Sequence, residues 1–506
     1  MLCRVATFHI DGLEPRRVTV EADLRAGLPA FTVVGMGDRA VRESRERVAA
    51  AIANSGYEFP NRRVTVNLAP AALLKHGPGF DLAIACAVLV ASGQVVAPAL
   101  DRIGLYGELA LGGEVRPVRG ALAVAEGARA ARLAGLIVAD ESAREALLVP
   151  GIDVHAVRTL DDVVAVLEGR RPAATVPAQL ATGPAPRAVR GPDLADVRGH
   201  AAVIEALTVA AAGGHNLLLS GPPGTGKTML ARRLASVLPP MSPAEAIEVT
   251  RIQGIAGRQA EGLVRERPFR APHHTTSAAA LVGGGALPRP GEITLAHRGV
   301  LFLDELPEFP RNVLDALRQP LEDGRVVVVR GQRSAVFPAR FQLVAAMNPC
   351  PCGHAGDGER CRCAETDHER YRRRLSGPLL DRFDVLVQVL RPSQAELSAP
   401  ASTTSAAVAE RVAAARERQE FRRKATGAAC NAELDVRGVR AAVRLDDAAT
   451  SHLDRAYAAG ALSPRGRHRT LRLARTLADL DGADDVTAQH LLAALGLRLD
   501  GVGLAA

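Results

Sequence analysis

The sequence predicts an α/β protein of about two to four domains, and three features carry that prediction. A glycine-rich octet, Gly221-Pro222-Pro223-Gly224-Thr225-Gly226-Lys227-Thr228, stands between an apolar strand and a helix. A second apolar strand, Val300-Leu301-Phe302-Leu303, runs directly into Asp304 and Glu305. Two composition breaks then divide the chain: a Pro/Ala/Gly linker over residues 169–193, and a break from Ser393 to about Ser405. The expected organisation is a mixed α/β domain over 1–168, a core over 194–392 and a helical, arginine-rich lid over 406–506.

Leu217-Leu218-Leu219 reads as the buried strand ahead of the octet, and Met229-Leu230-Ala231-Arg232-Arg233-Leu234 as the helix after it. The octet fits G-x-x-x-x-G-K-[ST], the phosphate-loop pattern, in which each part has a physical task. Gly221, Gly224 and Gly226, interleaved with Pro222, Pro223 and Thr225, let the backbone turn sharply so that its N–H groups face phosphate. Lys227 is expected to reach the β and γ phosphates of ATP. Thr228 is expected to place its hydroxyl on Mg²⁺, with the positive helix end aimed at the anion. Residue choice adds weight, because only Lys75, Lys227 and Lys424 among the 63 Lys+Arg residues are lysine. A compact ammonium kept in an arginine-rich chain suggests a position that a flat guanidinium does not fit.

A phosphate loop by itself hydrolyses nothing. Asp304 is expected to hold Mg²⁺ through its coordination shell, and Glu305 to orient or deprotonate the attacking water. The two motifs together indicate an ATPase.

Composition narrows the setting. Hydrophobic residues make up 47% of the chain, enough to fill several cores. No uncharged apolar run reaches the roughly 18 residues of a membrane span, and Met1-Leu2-Cys3-Arg4-Val5 lacks a secretory pattern. A cytoplasmic location without membrane partners is therefore expected. The net charge of +8 fits a polyanionic partner such as DNA. Aromatics at 3% with no Trp argue against base stacking as the main mode of contact.

Three longer stretches carry a family resemblance: Arg267-Pro268-Phe269-Arg270-Ala271-Pro272-His273-His274-Thr275, Pro290-Gly291-Glu292-Ile293-Thr294-Leu295-Ala296-His297 and Ala346-Met347-Asn348-Pro349-Cys350-Pro351-Cys352-Gly353. With the two nucleotide motifs they resemble the magnesium-chelatase-like AAA+ ATPases, in the branch of competence protein ComM and YifB, over nearly the whole chain. The resemblance implies an AAA+ phosphate-loop core with a helical C-terminal lid, assembled as a hexamer. It also implies branch migration of DNA recombination intermediates, with recombination proteins as possible partners. Asn348 corresponds to a first sensor of γ phosphate, Arg382 to a finger completing the neighbouring subunit's site, and Arg465 to a second sensor, with Arg469 and Arg472 as rivals.

DNA contact is expected from loops lining such a ring. Arg325–Arg330 and Arg333–Phe337 read as a β-hairpin whose tip, at Arg330, Gly331, Gln332 and Arg333, would grip phosphates without reading bases. Val282-Gly283-Gly284-Gly285-Ala286 is a second candidate, read as a flexible loop.

Four of the seven cysteines, Cys350, Cys352, Cys361 and Cys363, fall in one insertion over 350–363, with His354 and His368 near. Clustered thiols of this kind suggest structural zinc. Free thiols and a redox pair are the other readings. The N-terminal domain resembles the proteolytic domain of Lon-type proteases, but Gly79 stands where those carry the nucleophilic serine. The partner lysine is missing from Pro117–Ala123. Covalent catalysis needs both groups, so this domain is expected to be non-proteolytic. The alternative to a DNA motor is an ATPase that remodels a protein partner, as the motor subunit of a metal chelatase does.

Overall fold

The computed structural model describes the chain except residues 174–191, 259–261, 286–287, 331–332, 356–359, 402 and 500–506, and the side chains of residues 39, 330, 333 and 499. Most of the expected 169–193 linker lies outside the described residues. Two compact units are present, one comprising Met1–Ala185 and Pro243–Val264, the other Pro186–Ser242 and Arg265–Ala506.

The first unit is built on a seven-stranded mixed sheet in the order Ala30–Val34, Arg63–Ala69, Glu14–Arg25, Leu2–Asp11, Ile103–Tyr106, Gly135–Ala139, Asp153–Val157. Val18, Val20, Ala22 and Leu24 alternate with polar residues, so Glu14–Arg25 buries one face and wets the other. Helix Asp81–Ala91, Asp-Leu-Ala-Ile-Ala-Cys-Ala-Val-Leu-Val-Ala, is apolar nearly all round and is correspondingly buried.

Gly79 lies just before that helix. A Cβ placed on it would come 2.7 Å from the Tyr106 ring, so the chain has no room for a nucleophile there. Tyr106 is itself fixed, its hydroxyl donating to the Arg119 carbonyl at 3.0 Å.

The 194–392 core expected from composition is interrupted. Pro243–Val264 belongs to the first unit, where helix Pro243–Ile255 buries Ala246, Val249 and Ile252 and pairs Arg251 with Glu126 of helix Ala121–Ala130 at 3.2 Å. That apolar face requires a partner surface, and composition alone does not say which domain supplies it.

The second unit has a five-stranded, all-parallel sheet in the order Phe269–Arg270, Val300–Leu303, Gln342–Met347, Leu217–Ser220, Val385–Gln388. The central strands are buried along their whole length, as continuous Val/Leu/Ala runs in a covered parallel sheet should be. Helix Lys227–Val237 follows the phosphate loop.

The C-terminal third folds into helices Ser405–Thr426, Val436–Ala442, Asp447–Ala458, Pro464–Leu480 and Ala488–Leu499. Their starts are capped by side chains: Thr404 accepts from the Ala407 N–H, and Ser463 from the Gly466 N–H with Pro464 opening the helix. Val408, Val412, Ala415, Leu473, Ala474 and Leu491 close a core against Leu207 and Ala211 of helix Ala201–Gly213.

Strands Arg325–Arg330 and Arg333–Pro338 pair antiparallel as expected, with Arg330 opposite Arg333. Val326, Val328, Ala335 and Phe337 face inward, while Val327, Val329 and Val336 are exposed. Within the stretch expected as a flexible loop at 282–286, Gly283-Gly284 pairs antiparallel with Arg289-Pro290, and Ala286 lies outside the described residues. Among the described residues, no helix is long and apolar enough to cross a membrane.

Candidate nucleotide site

Strand register assembles the site. Ser220 lies beside Met347, and Leu303 beside Ala345, so three adjacent parallel strands end together. Their carboxyl ends deliver the phosphate loop, Asn348 and Asp304 to one edge, the edge at which open α/β sheets bind ligands. The Gly221 N–H donates to the Met347 carbonyl at 3.2 Å, which pins the loop to the neighbouring strand. A side chain on Gly221 would collide with the Val389 carbonyl, and Gly224 and Gly226 have φ of +77° and +85°, conformations open to glycine.

Lys227 is buried in the resulting cradle. Its ammonium donates to the Gly221 carbonyl at 2.6 Å, the Pro222 carbonyl at 2.8 Å and Asn348 Oδ1 at 3.1 Å. Burial pushes the Lys227 pKa below the usual lysine value, while the charges of Asp304 and Glu305 pull it back up. Thr228 Oγ1 donates to Asp304 Oδ2 at 2.6 Å. Lys227, Thr228, Asp304 and Asn348 thus form one bonded group. A hydroxyl and a carboxylate held together are hard oxygen donors of the kind Mg²⁺ takes, and the ammonium with the loop N–H groups suits phosphate.

Glu305 follows Asp304 with φ of +52°, a left-handed conformation costly for glutamate, and strain of this kind persists where surrounding contacts enforce it. One such contact is with His274, whose Nδ1 lies 3.2 Å from the Glu305 carboxylate. The His274 ring also meets that of His273 at a tilt of 35°, with centroids 4.0 Å apart, and meets Phe309 edge-on. His274 lies in one of the stretches that carry the family resemblance, and the sequence by itself assigns it no task. The neighbouring motif residues are braces: Arg270 forms a two-pronged pair with Glu292, and His297 Nδ1 accepts from the Arg340 N–H. His200 was not singled out either, yet its ring approaches Gly226 of the loop.

Arg382 lies elsewhere. It directly precedes strand Val385–Gln388, and its carbonyl accepts from Asn216 Nδ2, where Asn216 starts the phosphate-loop strand. It therefore sits at the amino ends of the strands, about 13 Å of strand length from the phosphate loop. Its guanidinium pairs with Glu322. Burial and the charges of Arg469, Arg465 and Arg318 push its pKa below the usual arginine value. Arg465, exposed at the start of helix Pro464–Leu480, therefore shares this basic cluster, and Arg469 reaches Asp384 at 3.8 Å.

The cysteines converge. Sγ of Cys350 lies 3.4 Å from Cys352 and 3.9 Å from Cys361, and Cys352 lies 3.8 Å from Cys361. Donor atoms of Cys350, Cys361, Cys363 and His368 all lie within 4.8 Å of one another. Backbone N–H groups of Arg362 and His354 donate to Cys352 and hold its thiol down at about 6. The backbones of Arg330 and Arg333 close the hairpin, but their side chains lie outside the described residues.

A parallel sheet with a glycine-rich phosphate cradle, a Thr–Asp pair and a polar residue between them defines a phosphate-loop nucleotide-binding core of the AAA+ kind. Three family descriptions match: "Magnesium chelatase, subunit ChlI" over residues 193–397, "Subunit ChlI of Mg-chelatase" over 20–142, and "Magnesium chelatase, subunit ChlI C-terminal" over 402–498. The chain is 45% identical to the YifB protein of Salmonella typhimurium over 491 residues, 96% of this chain and 95% of that protein. It is 44% identical to competence protein ComM of Haemophilus influenzae over 493 residues, again 96% and 95% of the two chains. Similarity to the magnesium-chelatase 38 kDa subunit of Acidiphilium rubrum is 29% over 310 residues, 55% of this chain and 80% of that one. The chain belongs to the magnesium-chelatase-like family, in its ComM/YifB branch. Membership suggests ATPase activity.

Proposed function

We propose that the chain is an ATP-hydrolysing ring motor that binds DNA and promotes branch migration of recombination intermediates. The observation that carries this reading is the separation of Arg382 from Lys227 across the sheet. Lys227, Thr228, Asp304, Glu305 and Asn348 gather at the carboxyl edge, whereas Arg382, with Arg465 and Arg469, gathers at the amino edge. Each copy then offers half a site at each edge, and a closed ring of identical subunits, expected as a hexamer, joins them. Lys227 and the loop N–H groups hold the phosphates, Thr228 and Asp304 hold Mg²⁺, and Glu305 takes a proton from the attacking water. Mg²⁺ held there would supply charge neutralisation. Arg382 of the adjacent copy stabilises negative charge as hydrolysis proceeds.

The hairpin supports DNA as the substrate, since Arg330 pairs with Arg333 in its strands and the chain is basic overall. The similarity to competence protein ComM fits that use. The N-terminal unit is read as a Lon-protease-like fold without catalysis, used for assembly or docking; the filled space at Gly79 supports this. A second reading, remodelling of a protein partner, is favoured by the exposed Val327, Val329 and Val336 on the hairpin, which suit an apolar contact.

The test measures ATP turnover with and without branched DNA. Stimulation by DNA, lost in Arg330→Ala/Arg333→Ala, is expected. Unchanged turnover together with no DNA binding at low salt removes the DNA reading and leaves the protein-partner one.

A further inference from the structure

The cysteine cluster sits against the nucleotide site. Cys350 is two residues beyond Asn348 and is fully buried. The turn closing over it, in which the Gly353 N–H donates to the Cys350 carbonyl at 3.0 Å, brings Gly353 onto the phosphate loop. A Cβ on Gly353 would lie 2.5 Å from Pro223 Cδ, and its φ of +83° also calls for glycine. On the other side, helix Glu365–Arg372 carries His368, whose Nε2 lies 3.5 Å from Cys361 Sγ. One turn on, the same helix carries buried Tyr371, which hydrogen-bonds to the Asn348 backbone. The cluster thus joins three things: the phosphate loop, Asn348 and that helix.

Its geometry fits a metal. Zinc–thiolate bonds of about 2.3 Å arranged tetrahedrally place the sulfurs about 3.8 Å apart. The measured separations among Cys350, Cys352 and Cys361 are 3.4, 3.9 and 3.8 Å. Cys363 completes the group, within 4.8 Å of both Cys350 and Cys361. Backbone N–H groups already aim at the sulfurs, as thiolates require: Ala355 donates to Cys350 at 3.2 Å, and His354 and Arg362 donate to Cys352. No such N–H set is needed by neutral thiols.

We propose that Cys350, Cys352, Cys361 and Cys363 bind one zinc ion as four thiolates. His368 donates a hydrogen bond to Cys361 from outside the coordination sphere, and the centre holds Pro223 and Asn348 in the arrangement that accepts nucleotide. The metal assignment is independent of the functional reading; the last clause rests on the ATP site.

The experiment uses full-length protein purified without chelator, with zinc measured by elemental analysis. One zinc per chain is expected. Cys352→Ser should lose it and His368→Ala should keep it. Retention by Cys352→Ser with loss by His368→Ala overturns the four-thiolate set in favour of one containing His368. To separate lost coordination from misfolding, chelated wild type is titrated with Co²⁺. Thiolate-to-metal charge transfer with tetrahedral ligand-field bands is expected, and their absence in protein with native circular dichroism overturns the site. Finally, zinc removal should weaken binding of a fluorescent ATP analogue by about tenfold, restored by zinc. Unchanged affinity in the zinc-free protein overturns the coupling. Failure of the zinc-loaded protein to bind nucleotide would instead strike the ATPase reading.

Discussion

Replacing Lys227 and Arg382 separately should split nucleotide binding from hydrolysis. Lys227 makes three hydrogen bonds from a buried ammonium, at 2.6, 2.8 and 3.1 Å. With ATP bound, two of those donors turning to phosphate oxygens would contribute about 1.5–3 kcal/mol each, as bonds to charged groups do. Lys227→Ala should therefore cost about 3–6 kcal/mol of affinity, or about two to four decades in Kd. Arg382 makes no contact with its own chain's phosphate loop in this arrangement. Its partner Glu322 is half exposed, so the pair itself contributes about 0–1 kcal/mol, and three nearby arginines oppose its charge. Arg382→Ala should leave Kd within about threefold while kcat falls at least about a thousandfold. Titration with a fluorescent nucleotide reads the first quantity and phosphate release at saturating ATP the second. Mixing the two inactive variants should restore some hydrolysis, because a subunit with intact Lys227 can sit beside one with intact Arg382. Equal loss of binding in both variants, or no recovery on mixing, would refute the two-subunit site.

Glu305→Gln should retain nucleotide affinity and lose turnover, and His274→Ala should change kcat more than Kd, since its contact is with Glu305; parallel Kd and kcat assays check both. Gly79→Ser should create no peptidase and should destabilise the protein by about 1–3 kcal/mol, because even a Cβ overlaps Tyr106; thermal unfolding and a casein digest report these. Arg475→Ala should cost about 1–3 kcal/mol, because the Ala483 and Asp484 carbonyls lose this buried donor while Asp479 keeps Arg422 and Asn431; urea unfolding measures it.

The nucleotide edge was legible because each of its residues sits at a strand end that a local apolar run announces: Leu217–Ser220 for the loop, Val300–Leu303 for Asp304, Gln342–Met347 for Asn348. Register then did what sequence cannot, placing Ser220 beside Met347. The task of His274 is not legible in the sequence, because its partner Glu305 is thirty-one residues on, at a left-handed turn. The placement of Pro243–Val264 was likewise illegible. Its buried Ala246, Val249 and Ile252 announce an amphipathic helix but not the surface that receives it. His368 was near the cysteines in sequence, yet its approach to Cys361 needs the helix at Glu365–Arg372 to point it inward.

The scarcity of lysine gains a structural reason that reaches beyond the nucleotide site. Of the three lysines, Lys424 is exposed, while Lys75 and Lys227 are both buried and both donate to backbone carbonyls. Lys227 serves Gly221 and Pro222; Lys75 serves Gly35 at 2.9 Å and Pro70. In each case a point-like ammonium at the end of a thin stem enters a nest of carbonyls, where a guanidinium would need a wider, planar opening. Burial lowers the Lys75 pKa, and among the described residues its ammonium is held by the Gly35 and Pro70 carbonyls. Lys75→Arg should then destabilise through overpacking, by about 1–3 kcal/mol. Lys75→Met keeps the stem and removes a desolvated charge, but takes the donor from the Gly35 carbonyl, at a cost of about 1–3 kcal/mol, while the Pro70 carbonyl keeps the Leu73 N–H. If the nest is organised around the charge, Met should be at least as damaging as Arg in urea unfolding of the full chain. A Met variant as stable as wild type would mean that Lys75 fills space, and the parallel with Lys227 would fail.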